Sequence, residues 1–161
     1  MVPDALTLGL VGNVKEAEAH FLRAKELYLE SYEYAYFYQN KQWVVEYTRL
    51  LIAYARFLDS QKRYDDAELV YAEGREQVNW ANWQTDTKLN FYYGQHLYEH
   101  GRQVWYQRKP QEAYGLMLRA KAQLEQHRSM MKDEVENGFA AQLADVDKVI
   151  EFLEQTGIKR Q

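Results

Sequence analysis

Cysteine is absent from this 161-residue chain, which excludes disulfides, thiolate metal sites and cysteine nucleophiles. Proline is nearly absent as well. Pro3 and Pro110 are the two examples, and there are only eight glycines. So few breakers favour long uninterrupted helices and disfavour a turn-rich β-sandwich. No run approaches the ~20 apolar residues that span a bilayer. Residues 1–12 are mildly apolar, but they lack a basic start and are interrupted by Pro3 and Asp4. No targeting segment is read there, and a cytoplasmic location is expected. A basic excess is also missing: the net charge is −4 and the pI about 5.6, which disfavours general nucleic-acid binding. There is no glycine-rich phosphate loop and no nucleophile elbow, so no cofactor is implied and no enzyme is expected.

What remains is a composition that builds a core. Hydrophobic residues make up 47% of the chain and charged residues 27%, values of a globular protein rather than a disordered one. The length is that of a single domain. Apolar residues recur at spacings of three and four almost throughout, and no strand-like alternation competes. Six long helices are predicted after a weak first segment at about 3–11. The second runs from an Asn13 cap, with Glu16 in capping-box position, to about Tyr38 and carries Val14, Ala17, Phe21, Ala24, Leu27 and Tyr28. The third covers about 41–60, with Val44, Tyr47, Leu51, Tyr54, Ala55 and Leu58 on one face. The fourth covers about 64–78, with Ala67, Val70, Tyr71 and Gly74 inward. Residues 79–83, which include Trp80 and Trp83, read as a connector. The fifth helix, capped by Thr85 or Asp86, ends near Tyr106. The sixth opens at Pro110, whose missing N–H is harmless in a first turn. It presents Ala113, Met117, Ala120, Leu124 and Met131. The last, about 134–156, begins after a capping-box pattern of Asp133 and Glu136. It carries Val135, Phe139, Leu143, Val146, Val149, Ile150 and Leu153, and stops at Gly157.

Three segments align without gaps: Gly12 to Leu27, Lys62 to Gln77 and Arg108 to Gln123. Each has a turn, an acidic residue, a small residue, a bulky one four on and a small one three further. The triples are Ala17-Phe21-Ala24, Ala67-Tyr71-Gly74 and Ala113-Met117-Ala120. Small residues seven apart let a helix approach its neighbour closely, and the bulky residue fills the space between. The middle segment, Tyr64-Asp65-Asp66-Ala67 leading to Tyr71 and Gly74, resembles the second helix of a tetratricopeptide repeat. So does the first. In the third, Pro110 sits where that family often has an aromatic residue. The family repeats every 34 residues, whereas Ala17, Ala67 and Ala113 are 50 and 46 apart. The resemblance implies an all-α fold of antiparallel helical hairpins, stacked as a short tetratricopeptide-like superhelix of six or seven helices. Repeats would fall at about 1–38, 41–78 and 85–131, with a capping helix at about 133–156. A plain antiparallel bundle is the alternative.

In that register the first helix of each hairpin lines a concave groove. Projection places Arg49, Ile52, Arg56 and Ser60 in it from the third helix, and Gln95, Tyr98, Arg102 and Tyr106 from the fifth. Tyrosine and arginine are enriched at binding hot spots, so Arg49, Arg56, Tyr98, Arg102 and Tyr106 are the candidate partner-binding residues. The lysine- and asparagine-based clamp of chaperone-binding family members is missing at the matching positions. Charge is also segregated. Residues 101–132 carry a net +5 and residues 133–156 a net −6. Either the last helix packs on the sixth and the fields cancel, or a basic surface awaits an acidic peptide or phosphate-bearing partner.

His96 and His100, four apart on the fifth helix, share a face and could chelate a metal. No third ligand is evident, and no metal site is assigned. Asp65-Asp66 fits a helix's first turn, which favours carboxylates. The run Tyr32 to Tyr38 places aromatics on every side of a helix and is expected between helices. The expected function is therefore a non-catalytic protein- or peptide-binding scaffold, with self-association through an uncapped end as a further possibility. A peptide- or small-ligand-sensing regulatory domain is the alternative, and a metal enzyme using His96 and His100 comes third.

Overall fold

The computed structural model describes residues 13–32, 41–80, 87–128 and 139–158. These form six helices and no strand: α1 (Val14–Glu30), α2 (Lys41–Ser60), α3 (Tyr64–Trp80), α4 (Thr87–Tyr106), α5 (Pro110–Arg128) and α6 (Phe139–Gln155). The chain is all-α, as its periodicity requires. It divides into two compact units, residues 1–89 and 90–161.

In the first unit α3 folds back along α2, and α1 packs on α2. The expected inward face of α2 is buried throughout: Val44, Tyr47, Leu51, Tyr54, Ala55 and Leu58 are at most 9% exposed. Burying each of the larger side chains contributes about 1.5–3 kcal/mol. Ala17 and Ala67 are completely enclosed. A Cβ on Gly74 would stand 3.2 Å from Leu89 Cδ1 and 4.0 Å from Leu51 Cδ1, so the small residue is what allows that approach. Phe21 of α1 lies between Tyr54 and Phe57, with ring centroids at 5.3 and 5.4 Å.

In the second unit α5 runs antiparallel to α4, and α6 antiparallel to α5. Gly94 faces Leu124, and Gly101 faces Met117. Tyr114 donates to Glu154 over 3.4 Å, and Lys121 meets Asp147 at 3.0 Å. The basic sixth predicted helix thus pairs with the acidic last one. Ala113, Met117, Ala120, Leu124, Val146, Ile150 and Leu153 form the core.

The repeat is written in the backbone as well. In the α2–α3 turn, Lys62 N–H donates to Asp59 O and Arg63 N–H to Leu58 O. In the α4–α5 turn, Arg108 N–H donates to Trp105 O and Lys109 N–H to Val104 O, the same pattern shifted by 46 residues. Lys62 and Arg108 both take the left-handed conformation, with φ of 59° and 64°. Three matched bonds open α1, α3 and α5: Ala17 N–H to Asn13 O, Ala67 N–H to Arg63 O and Ala113 N–H to Lys109 O.

Some boundaries differ from expectation. The helix expected to reach Tyr38 stops at Glu30. Ser31 N–H and Oγ both donate to Tyr28 O, and the Trp43 indole donates to the same oxygen over 3.1 Å. A local serine cap and a tertiary donor thus meet at the helix end. The fourth predicted helix does not break at residue 78 but continues to Trp80. Leu27, expected inward, is 51% exposed. Ile52, projected into a groove, is a core residue at 5%. The expectations for residues 3–11, Tyr34 to Tyr38, Trp83, the Thr85 or Asp86 cap, Met131 and the Asp133–Glu136 box lie outside the described residues. Asn13 caps α1 by accepting from Glu16 N–H. Gly157, at φ +95°, ends α6.

Candidate functional site

Tyr98, Arg102 and Tyr106 succeed one another at one-turn intervals on α4, so a single helix face presents all three. Arg102 lies over the Tyr98 ring, 5.7 Å from its centroid, and donates a hydrogen bond to the Tyr106 side chain. A guanidinium held between two phenols loses little further freedom when it meets a planar acceptor. Burial pushes the Tyr98 hydroxyl above the ordinary phenol range, with the Arg102 charge opposing. Arg102 and Tyr106 are exposed, and Tyr98 is half-buried.

Beside this face opens a groove of about 230 Å³, lined by Arg102, Trp105 and Tyr106 of α4 and by Lys148, Val149 and Phe152 of α6. Trp105 meets Phe152 edge-on at 5.9 Å and Tyr106 edge-on at 5.4 Å. These rings are far from sealed: Trp105 is 39%, Phe152 49% and Tyr106 64% exposed. Three large aromatics in contact, open to solvent and bordered by two cations, differ from scattered surface apolar residues, which need no explanation.

Of the five candidate partner-binding residues, Tyr98, Arg102 and Tyr106 come together in the second unit. Arg49 and Arg56 belong to the first unit, on α2, where Arg49 is half-buried and Arg56 exposed. Trp105, Lys148, Val149 and Phe152 were missed as site residues. Val149 reads as core from its spacing, yet it is only half-buried and lines the groove. The available signal was Phe152, a large aromatic one position off the buried stripe of Val146, Ile150 and Leu153.

Of the histidine pair, His96 is the buried one, at 1% exposure, and its ring stacks on Tyr93 with centroids 5.9 Å apart. His100, one turn further on, is half-buried. Their centroids are 6.1 Å apart, and no group of three metal-ligating side chains occurs among the described residues. Asp65 and Asp66 are exposed in the first turn of α3, where Asp66 pairs with Arg63 at 2.9 Å. No described helix is long and apolar enough to cross a membrane.

The first unit holds a separate ionic knot. Arg63 bridges Asp66 and Glu18, and Glu18 accepts from Tyr54 over 3.0 Å. The Arg63 bond holds the Glu18 carboxyl below its ordinary range, against the opposing effect of burial. This knot ties α1 to the α2–α3 turn and is partly open to solvent at Arg63 and Asp66.

Compared with known proteins, the chain matches no protein family, no curated protein and no solved structure.

Proposed function

We propose that this chain is a non-catalytic protein- or peptide-binding module of tetratricopeptide-like helical hairpins. One observation carries this reading: the cluster of Tyr98, Arg102, Trp105, Tyr106 and Phe152 on one face of the second unit. Tyrosine, tryptophan and arginine dominate binding energetics because they bring large contact area and directed polar groups at little entropic cost. Here Arg102, Trp105, Tyr106 and Phe152 are exposed, Tyr98 is half-buried, and contacts with one another preorganise them.

The groove's size favours a peptide over a small ligand. Pockets that enclose a drug-sized molecule span roughly 300–1,000 Å³. A groove of about 230 Å³ suits one inserted side chain of a longer partner. The regulatory, peptide-sensing reading shares this chemistry and differs only in the consequence of binding.

The test is affinity capture with the whole chain, then cross-linking to locate the contact. Cross-links at α4 and α6, with capture lost in Arg102→Ala and Tyr106→Ala while helicity is retained, support the reading. Capture that survives both substitutions refutes the site. Arg49→Ala and Arg56→Ala, measured separately, test the contribution of α2.

A further inference from the structure

The groove is built asymmetrically, and the asymmetry names its ligand. Because α5 is antiparallel to both α4 and α6, those two helices run in the same direction. On α4, Arg102 precedes Trp105 and Tyr106 by about a turn. On α6, Lys148 precedes Phe152 by four residues. Both cations therefore stand toward one end of the groove and the aromatic rings toward the other. The lining contains no carboxylate; the nearest acidic neighbours of Tyr98, Glu99 and Asp145, lie about a turn before the cations on their own helices.

We infer that the groove binds an acidic peptide segment. Its single aromatic or branched aliphatic side chain seats against Trp105, Val149 and Phe152, and adjacent aspartate or glutamate carboxylates pair with Arg102 and Lys148. This deepens the proposed partner-binding function and rests on it. The anchor is one side chain because the groove holds no more. The flanking residues are acidic because charges across an interface fix register and exclude wrong partners. Arg102, held by the Tyr98 ring and the Tyr106 hydroxyl, offers a carboxylate two parallel hydrogen bonds, and Lys148 acts as a point charge. Glu99 and Asp145 bound the site and disfavour further acidic residues on that side.

The experiment is selection of random dodecapeptides by display against the intact chain. Binding of the enriched peptides, made with blocked termini, is then measured by fluorescence anisotropy. The expected winners carry one aromatic or leucine-like residue next to Asp or Glu. They weaken about tenfold or more on Arg102→Gln with Lys148→Gln. They also weaken at ionic strength near 1 M, where screening acts within about 3 Å. Phe152→Ala, an exposed truncation, abolishes binding without loss of helicity. Winners that are basic or neutral, yet still depend on Phe152, overturn the acidic assignment while keeping the binding module. Enrichment indifferent to all three substitutions, or no enrichment, overturns both.

Discussion

The approach of α4 to α5 can be tested with single methyl groups, because three glycines in these helices have different surroundings. A Cβ at Gly94 would lie 2.7 Å from Leu124 Cδ2 and 2.8 Å from Leu124 Cγ. Carbon atoms in good contact sit at about 3.5–4.0 Å, so the overlap is close to an ångström and involves a branch point rather than a flexible tip. Overpacking of this kind destabilises by about 1–3 kcal/mol. Alanine returns about 1 kcal/mol of helix propensity. The net expectation for Gly94→Ala is a loss of about 1 kcal/mol, up to about 2. At Gly101 the nearest atom is the terminal methyl of Met117, at 2.8 Å. Methionine yields easily, so Gly101→Ala should be near neutral. A Cβ at Gly115 meets nothing within 4 Å. Gly115→Ala should therefore stabilise by about 1 kcal/mol, which raises Tm by about 2–4 °C in a chain this long. Urea unfolding monitored by far-ultraviolet circular dichroism gives all three values. The order Gly115→Ala above Gly101→Ala above Gly94→Ala is the prediction. A Gly94→Ala protein as stable as the Gly115→Ala protein would refute the close approach of the two helices.

Other consequences can be checked in the same assay. Lys62 and Arg108 hold equivalent left-handed positions, where side chains are strained by about 1–2 kcal/mol. Lys62→Gly and Arg108→Gly should each stabilise by about 0.5–1 kcal/mol after the entropic disadvantage of glycine, and by similar amounts if the two turns are true repeats. Thr48 Oγ1 is buried and has no hydrogen-bond partner. Thr48→Val removes that unsatisfied group and should gain about 1 kcal/mol; a loss would mean the hydroxyl is bonded. Glu18 has a folded-state pKa below its ordinary value of 4.5. Its contribution is therefore fully present above that value and is lost as pH falls through the folded pKa. The bridge is partly exposed, so the effect should stay within about 1 kcal/mol. Glu18→Gln should lower stability at pH 7 and reduce its fall on acidification below pH 4.5, whereas an unchanged pH profile would show that the Arg63 bridge contributes nothing.

Much of this architecture was open to reading along the chain. Helical period, scarce breakers, the Asn13 cap, Pro110 at a first turn and Gly157 at a last one are local properties, set by backbone sterics and neighbouring donors. The repeat was readable because packing demands small residues at fixed intervals: Ala17, Ala67 and Ala113 are all fully enclosed. The face of Tyr98, Arg102 and Tyr106 came from helical spacing projected in the tetratricopeptide-like register.

What the chain could not disclose depends on partners distant in sequence. At the end of α1 the Trp43 indole, twelve positions beyond the local Ser31 cap, donates to the same Tyr28 O. Ile52 and Val149 exchange their expected places because burial depends on which helix lies opposite, and periodicity gives only a face. The groove brings Trp105 against Phe152 across 47 positions, a contact that exists only once α6 has folded along α5. Local stereochemistry determined the helices and their repeating contact surfaces. Only tertiary packing decided which aromatics were left uncovered, because exposure is a property of neighbours and not of the residue itself.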